Sequence, residues 1–183
     1  MANKTQMAPT SEKNLSLPTY GLSPIAWDRV RERLEEEWKG QGSGSGCPHT
    51  HFLSTVRPDG KPHVMPIGAA YHDGAFYVTS GAGTQKSKNL ARNPNCVLSL
   101  ATPGMDIVVE GEAAKVTDNA KLNRVAEVFA AHGWAPKVEN GAFVHEYSAP
   151  SAGPPPWDLY ELTPKTVFGL ATDEPHGATR WRL

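Results

Sequence analysis

The sequence predicts a mainly β protein with a few α-helices, in which six or seven antiparallel strands close into a small barrel. The first observation is that β-rich runs alternate with the turn signals Pro58-Asp59-Gly60 and Asp73-Gly74, as in an antiparallel meander. The second is that only two long segments carry an apolar stripe at helical spacing. Closure of the strands is expected because a closed barrel has no exposed sheet edges.

Composition limits the class of protein. The chain has 183 residues, enough for one domain with a full hydrophobic core and appendages. Its net charge is −1, which disfavours nucleic acid as a partner, and its two cysteines cannot form a disulfide framework. No apolar run approaches membrane-spanning length, and no secretory leader is recognisable. We therefore expect a soluble cytoplasmic protein without a membrane partner.

The N-terminal part divides into two predicted segments. Residues 1–22 are largely polar and without periodicity, so we expect a flexible arm that is mobile or lies on a partner. Residues 23–46 predict an amphipathic helix that begins at Ser23-Pro24 and is followed by a Gly/Ser linker. The apolar face of this helix carries Trp27, Val30, Leu34 and Trp38.

Residues 47–183 are predicted to form the barrel domain. Strands are expected at His51–Val56, Pro62–Gly68, Ala75–Thr79, Cys96–Leu100, Ile107–Val116, Trp157–Leu162 and Thr166–Leu170. Pro62 and Pro66 lack a backbone donor, so their strand should be irregular or at an edge. A helix begins after Asp118 and ends at Gly133, with a buried stripe that includes Leu122, Val125 and Phe129.

The segment Ser80–Leu90 is the main candidate for binding. It leaves a strand, crosses a glycine-rich turn and opens a short helix that carries Lys86 and Lys88. From Gly74 to Met105 there is no Asp or Glu, so the surroundings are cationic. Unpaired amides at a helix start, next to lysines and hydroxyls, suit a phosphate group. The alternative is a plain strand–turn–helix with solvated lysines.

Four segments in this order and spacing resemble a known family. They are Thr55–Pro66, Lys86–Pro94, Val109–Ala113 and Ala178–Arg182. Together they are similar to the pyridoxamine-phosphate-oxidase-like split β-barrels, which share the fold of FMN-binding proteins and bind flavin or deazaflavin. Within that superfamily the chain most resembles the actinobacterial deazaflavin-dependent oxidoreductases. The resemblance covers roughly Phe52 to Leu183 and implies a homodimer with the cofactor at the subunit interface.

The resemblance also implies which residues bind the cofactor. The implied set is His63, Val64, Met65, Pro66, Val78, Thr79, Ser80, Lys86, Ser87, Lys88, Asn89, Arg180 and Trp181. In this set Lys86 is the phosphate lysine, supported by Ser87 and Lys88, and the strand from His63 lies against the ring. Val78 to Ser80 lie at the ring edge and polyol. Arg180 and Trp181 belong to the C-terminal segment that reaches a site shared between subunits.

The implied activity is that of an oxidoreductase in which reduced coenzyme F-420 delivers hydride to an activated double bond of a small planar substrate. The cofactor carries out the hydride transfer, which agrees with the lack of an obvious catalytic set, and no catalytic residue is assigned. Lys61, Lys88 and Arg180 suit the anionic oligoglutamate tail of F-420. The alternatives are an FMN-dependent oxidoreductase and a non-catalytic protein that binds or sequesters flavin, deazaflavin or haem.

Three further patterns bear on these alternatives. Where true pyridoxamine phosphate oxidases carry an arginine beside the phosphate lysine, this chain has Gln85, which speaks against pyridoxamine phosphate as substrate. Cys47, His49 and His51 suggest a metal site but lack a fourth ligand at zinc spacing, so no metal is expected. Glu110 and Glu112 share a strand face and are interpreted as solvated or subunit-interface charges.

Overall fold

The computed structural model describes residues 7–40, 51–146 and 152–183, without the side chains of residues 37–40. Within these residues the protein is mainly β, with eleven strands and three α-helices. None of the described helices is long and apolar enough to cross a membrane. The predicted fold class, an antiparallel split barrel with few helices, is confirmed.

The elements follow one another along the chain in this order. The strands are β1 (Ser11–Asn14), β2 (His51–Val56), β3 (Pro62–Ile67), β4 (Ala69–His72), β5 (Ala75–Gly81), β6 (Asn95–Thr102), β7 (Met105–Lys115), β8 (Lys137–Glu139), β9 (Ala142–Val144), β10 (Trp157–Ala171) and β11 (Gly177–Arg182). The helices are α1 (Trp27–Gly40), α2 (Gln85–Leu90) and α3 (Asn119–Ala130).

The barrel closes through the bend between β3 and β4, which are separated only by Gly68. On one side of this bend β3 pairs with β2, followed in order by β6, β7 and β10. On the other side β4 pairs with β5, and β5 pairs with the first half of β10. The second half of β10 pairs with β11 instead. The ring therefore has six strands, with β3 and β4 counted as one bent strand.

Strand register separates a core face from an exposed face. One row of neighbours across the sheet consists of Leu53, Leu98, Val109, Val167 and Trp181, all at most 1% exposed. The adjacent row consists of Phe52, Ser99, Val108, Phe168 and Arg180, all exposed or half-buried. Because side chains alternate along a strand, this second row and its neighbours form one outward surface, called here the outer face.

Helix α1 covers one end of the barrel core. Val30 and Leu34 are buried, and the ring of Trp27 lies 5.4 Å from that of Trp181. Gly169 permits this contact, since a Cβ there would come within 3.1 Å of Trp181 and 3.2 Å of Val30. The predicted apolar face of α1 thus packs inside the subunit, while the side chain of Trp38 lies outside the described residues.

Helix α3 builds a second core on the other side of β5. Leu122, Val125 and Phe129 pack with Phe143 and Leu159. Asp118 caps the helix by accepting a hydrogen bond from the Lys121 backbone N–H at 2.8 Å, as the sequence predicts. Strand β5 is consequently buried on both faces, one towards the barrel and one towards α3.

The N-terminal region differs from the prediction in its described part. Instead of a flexible arm, Ser11–Asn14 forms a strand along β11, with Lys13 opposite Arg180. The helix starts at Trp27 rather than at Ser23-Pro24. The physical reason is that the backbone N–H of Ile25 donates to the buried Thr179 hydroxyl at 2.8 Å, which holds the preceding chain extended against β11. Strand β3 lies at the end of the paired path, as Pro62 and Pro66 predict.

Candidate functional site

Helix α2 is joined to β5 by a cluster of three hydroxyl groups. Thr84 is the N-cap, and its Oγ1 accepts from the Ser87 backbone N–H at 3.3 Å. The Oγ atoms of Ser80 and Ser87 lie 2.8 and 3.1 Å from Thr84 Oγ1 and 2.9 Å from each other. The Ser80 and Ser87 side chains are 1% and 3% exposed. The hydroxyl groups of both predicted site serines therefore form hydrogen bonds that join helix α2 to strand β5.

Lys86 lies in the middle of this arrangement and is only 8% exposed. Among the described residues it has no ion pair and no hydrogen-bond partner. Burial lowers the pKa of its ammonium group. A buried cation without a partner is costly unless an anion is supplied. The surroundings of Lys86 are therefore suited to receive an anionic group from a ligand.

A second chain of hydrogen bonds connects α2 to β2 and β3. Gln85 Nε2 donates to Asn89 Oδ1 at 2.8 Å, and Asn89 Nδ2 donates to Thr55 Oγ1 at 2.9 Å. Thr55 Oγ1 in turn lies 3.5 Å from His63 Nδ1 and 3.4 Å from the His63 carbonyl oxygen. Asn89 is completely buried and Thr55 nearly so. This chain of hydrogen bonds orients the side-chain amide of Asn89 and links His63 to the helix that carries Lys86.

The charges around His63 favour its neutral form. Burial lowers the pKa of its imidazole, and the positive charges of Arg57 and Lys86 lower that pKa further. Among the described residues, these two cations are the charged groups that act on the ring. Lys61 forms an ion pair with Asp59 at 3.0 Å in the turn before β3, and both side chains are mostly exposed. The candidate site is thus a cationic wall formed by β2, β3 and α2.

The structure brings together only some of the predicted site residues. Ser80 and Ser87 belong to the hydroxyl cluster and Asn89 and His63 to the hydrogen-bond chain. Lys86 lies on the same helix without a hydrogen bond to either group. Other predicted residues lie apart. Lys88 is exposed and two residues from Lys86, so it points away from it. Val64 and Pro66 are on the outer face, Met65 faces Leu53, Val78 is in the barrel core, and Thr79 is half-buried on the α3 side of β5.

The C-terminal pair has two different environments. Trp181 is fully buried in the core of its own subunit, so its ring does not extend to a site shared between subunits as the resemblance implies. The reason is register: Trp181 lies opposite the buried Val167, on the core side of β11. Arg180 points the other way, to the outer face, with four strands between β11 and β3. Within the described part of the chain its buried Nε has no hydrogen-bond partner.

Sequence reasoning missed Thr55, Thr84 and the structural use of Gln85. Thr84 carried a usable signal, because a threonine just before a helix is a preferred N-cap. Thr55 carried none, since its role depends on strand register bringing it beside His63 and Asn89. Gln85 stands out only as the departure from arginine in the resemblance.

An open cleft of about 450 Å³ lies elsewhere, on the outer face. Among its lining residues are Ser54, Val56, Pro62, Glu110 and Lys165. None of the predicted cofactor residues lines it. Thr55, which contacts Asn89 and His63, also lines the cleft, so the cleft reaches the hydrogen-bond chain of the cationic wall, whereas Lys86 and His63 themselves do not line it. We identify the cationic wall as the candidate site because it contains Lys86, a lysine only 8% exposed that has no ion pair among the described residues.

The described residues give no support to the metal site suggested by Cys47, His49 and His51. No group of three His, Cys, Asp or Glu side chains among them could hold a metal ion. Cys47 and His49 lie outside the described residues. His51 is buried at the start of β2 and has an interaction of its own.

Comparison with known proteins supports one family. A family model described as pyridoxamine 5'-phosphate oxidase matches residues 44–171. A search of curated proteins gives no match. Among solved structures, General Stress Protein 26 from Bacillus anthracis is 22% identical, over 82% of this chain and 99% of that chain, with a TM-score of 0.50. PhzG from Burkholderia lata, solved with tetrahydrophenazine-1-carboxylic acid, is 16% identical over 91% and 90%, with a TM-score of 0.55. Below 25% identity these likenesses show the fold alone.

Proposed function

Since the chain belongs to the pyridoxamine 5'-phosphate oxidase family, we propose that it is an oxidoreductase that uses reduced coenzyme F-420. In this proposal hydride passes to an activated double bond of a small planar substrate. The family is one of flavin-binding oxidoreductases. The observation that carries the proposal is the buried Lys86, which has no anionic partner among the described residues. A cofactor phosphate is the group that such a lysine suits.

The described residues fit the two anionic parts of F-420. Lys86 would hold the phosphate, and the hydroxyl cluster of Thr84, Ser80 and Ser87 keeps its helix in place. The exposed Lys88 is available to a flexible anionic tail in solvent. The ring would lie along β3. When bound, the deazaflavin supplies the hydride chemistry, and the protein binds it, orients it and excludes water.

FMN is the second candidate cofactor. It has a phosphate but no oligoglutamate tail, so it needs Lys86 and makes no use of Lys88. A protein that only binds or sequesters flavin, deazaflavin or haem has the same surroundings for Lys86. It differs in showing no turnover of enones or quinones with reduced cofactor.

We further propose that the protein is a homodimer that pairs through the outer face. Phe52, Val64 and Leu170 are 47%, 51% and 44% exposed on this face, which is unusual for large apolar side chains. The same face carries acidic Glu110 on β7 and basic Arg180 and Arg182 on β11. In a two-fold arrangement the acidic strand of one copy can meet the basic strand of the other.

A binding experiment with two neighbouring lysines tests the cofactor proposal. Lys86→Ala should weaken the binding of FMN and F-420 by about 10- to 100-fold, because a charge-assisted hydrogen bond to the phosphate is lost. The affinity for riboflavin should be nearly unchanged. Lys88→Ala is the matched control on the same helix. It should leave FMN unaffected and weaken only F-420, through the tail. Fluorescence titration of the purified apoprotein measures all of these.

Three results would contradict the proposal. Failure of the apoprotein to bind either phosphorylated cofactor at micromolar concentration would exclude cofactor use altogether. If Lys86→Ala lowers the affinities for FMN and riboflavin equally, Lys86 does not bind the phosphate. Binding without turnover of any enone or quinone would favour the non-catalytic alternative.

A further inference from the structure

We propose that His63 takes up a proton when a cofactor phosphate binds beside Lys86. The bound phosphate would then be held by two cations, Lys86 and protonated His63, whereas in the free protein Lys86 is charged and His63 is neutral. The inference rests on the proposed function, because the phosphate is that of the cofactor. It adds a second anion-binding residue and makes cofactor binding depend on pH. Three features of the described residues support it.

The first feature is the position of the ring. His63 lies directly opposite Thr55 in the β2–β3 pair. Thr55 accepts a hydrogen bond from Asn89, one turn of α2 after Lys86. The imidazole and the ammonium group are thus held on adjacent elements that share a hydrogen-bonded partner. The charge of Lys86 acts on the His63 ring, so a phosphate bound to Lys86 acts on that ring as well.

The second feature is that Thr55 can serve both protonation states of His63. Its Oγ1 already accepts from Asn89, whose amide is oriented by Gln85. With neutral His63 the Thr55 hydroxyl can donate to Nδ1, 3.5 Å away. With charged His63 the Nδ1–H can donate to Thr55 Oγ1, while the hydroxyl turns to the His63 carbonyl oxygen, 3.4 Å away. A hydroxyl is both donor and acceptor, so neither state leaves it unpaired.

The third feature is the charge balance around the ring. The charged groups that act on His63 are Arg57 at the end of β2 and Lys86 on α2, and both disfavour a further positive charge. Burial acts in the same direction and is the larger cause. A phosphate dianion reverses the Coulombic part by adding an opposite charge within the group. The pKa of His63 therefore rises on binding from below its ordinary value, and a proton is taken up at intermediate pH.

The sign of the pH dependence follows from this. At pH values between the His63 pKa of the free protein and that of the complex, His63 takes up a fraction of a proton when the phosphate binds. The affinity for the phosphate therefore increases as pH falls. Above the pKa of the complex the effect disappears, since His63 stays neutral in both states. Arginine could not act in this way because it remains charged throughout.

Isothermal titration calorimetry tests the proposal with a defined probe. FMN and riboflavin are titrated into the full-length protein at about pH 7 in buffers of different ionisation enthalpy. The dependence of the heat on the buffer gives the number of protons exchanged. We expect the wild-type protein to take up about 0.3–1 proton when it binds FMN, and no proton when it binds riboflavin. His63→Gln, which keeps a hydrogen-bonding side chain, should bind FMN with no proton uptake and with an affinity independent of pH between about pH 6.5 and 8.

A second variant separates the role of the ring from that of its partner. Thr55→Val keeps His63 but removes the hydroxyl, so proton uptake should fall while the imidazole still titrates in an NMR experiment. The NMR titration of the His63 Cε1 proton in wild-type protein, with and without FMN, should show a higher midpoint in the complex. Folding of each variant is checked by its NMR spectrum.

The outcomes distinguish this inference from the proposed function. FMN binding without proton uptake, or equal uptake in His63→Gln, would overturn the role of His63 and leave the cofactor proposal standing. If only F-420 binds, the same titrations are made with F-420 and its phosphate-free form, and the same results decide. If no phosphorylated cofactor binds, both proposals fail together.

Discussion

At the scale of single residues, Trp181 is a core residue of its own subunit. It is fully buried against Trp27 and opposite Val167. We therefore expect Trp181→Phe to lower the free energy of unfolding by about 1–3 kcal/mol, because a smaller ring leaves a cavity. Its affinity for FMN should stay within about twofold of wild type. Urea unfolding and fluorescence titration of the same preparation measure both quantities.

The neighbouring Arg182 provides the control for this prediction. It is exposed on the same strand, so Arg182→Gln should change stability by no more than about 0.5 kcal/mol. A loss of FMN affinity in Trp181→Phe without loss of stability would show that the indole contacts the cofactor, as the family resemblance implied.

The two lysines of α2 show how far residue types alone can locate a site. The absence of Asp and Glu around them predicts a cationic site, and in the structure Lys86 is 8% exposed on a helix without an acidic residue in its first turn. Residues two apart on a helix point in nearly opposite directions, so only one lysine could face the sheet. Which one does so depends on the side of α2 that packs on β2 and β5, and this tertiary contact has no local signal.

At the scale of elements, Gly111 allows β7 to pass close to β10. A Cβ on Gly111 would meet the Thr163 carbonyl, with 3.0 Å to its carbon atom and 3.1 Å to Leu162 Cδ2. The register between the two strands shifts in this region, between Pro164 and Thr166. Gly111→Ala should therefore destabilise the fold by about 1–3 kcal/mol, because backbone atoms cannot move aside as side chains can. Thermal and urea unfolding measure the loss.

Gly83 is the matched control for this substitution. A Cβ there meets nothing within 4 Å, and its φ lies outside the left-handed region, so Gly83→Ala should be neutral or slightly stabilising. Equal stability of Gly111→Ala and wild type would mean that β7 and β10 separate without cost at this point.

Strand β7 and helix α3 were predictable because each carries its own pattern, period two in the strand and a capped apolar stripe in the helix. Strand β1 was not. Its four residues, Ser11–Asn14, are polar and mostly exposed, and they form a strand only because the free edge of β11 offers backbone partners. The delayed start of α1 has a similar cause, the hydrogen bond from Ile25 to Thr179, formed across 154 residues of sequence.

At the scale of the whole molecule, the outer face combines features that a monomer does not need. Large exposed apolar side chains, an open cleft and a buried guanidinium nitrogen with no hydrogen-bond partner among the described residues occur on the same surface. The family fold could be predicted from the sequence, but this surface could not, because it requires the register of five neighbouring strands. A second copy would cover the apolar side chains and offer carboxylates to Arg180.

Val64→Glu tests this assembly. Val64 is half exposed at the centre of β3, and a carboxylate there would have to be desolvated in the proposed interface, which is costly without a partner. We expect wild-type protein to sediment at twice the monomer mass and Val64→Glu to shift towards the monomer, with an unchanged circular dichroism spectrum. Asn123→Glu is the control, since it adds the same charge at an exposed position of α3, away from the outer face. A wild-type protein that stays monomeric at high micromolar concentration, or a Val64→Glu variant that stays dimeric, would place the interface elsewhere.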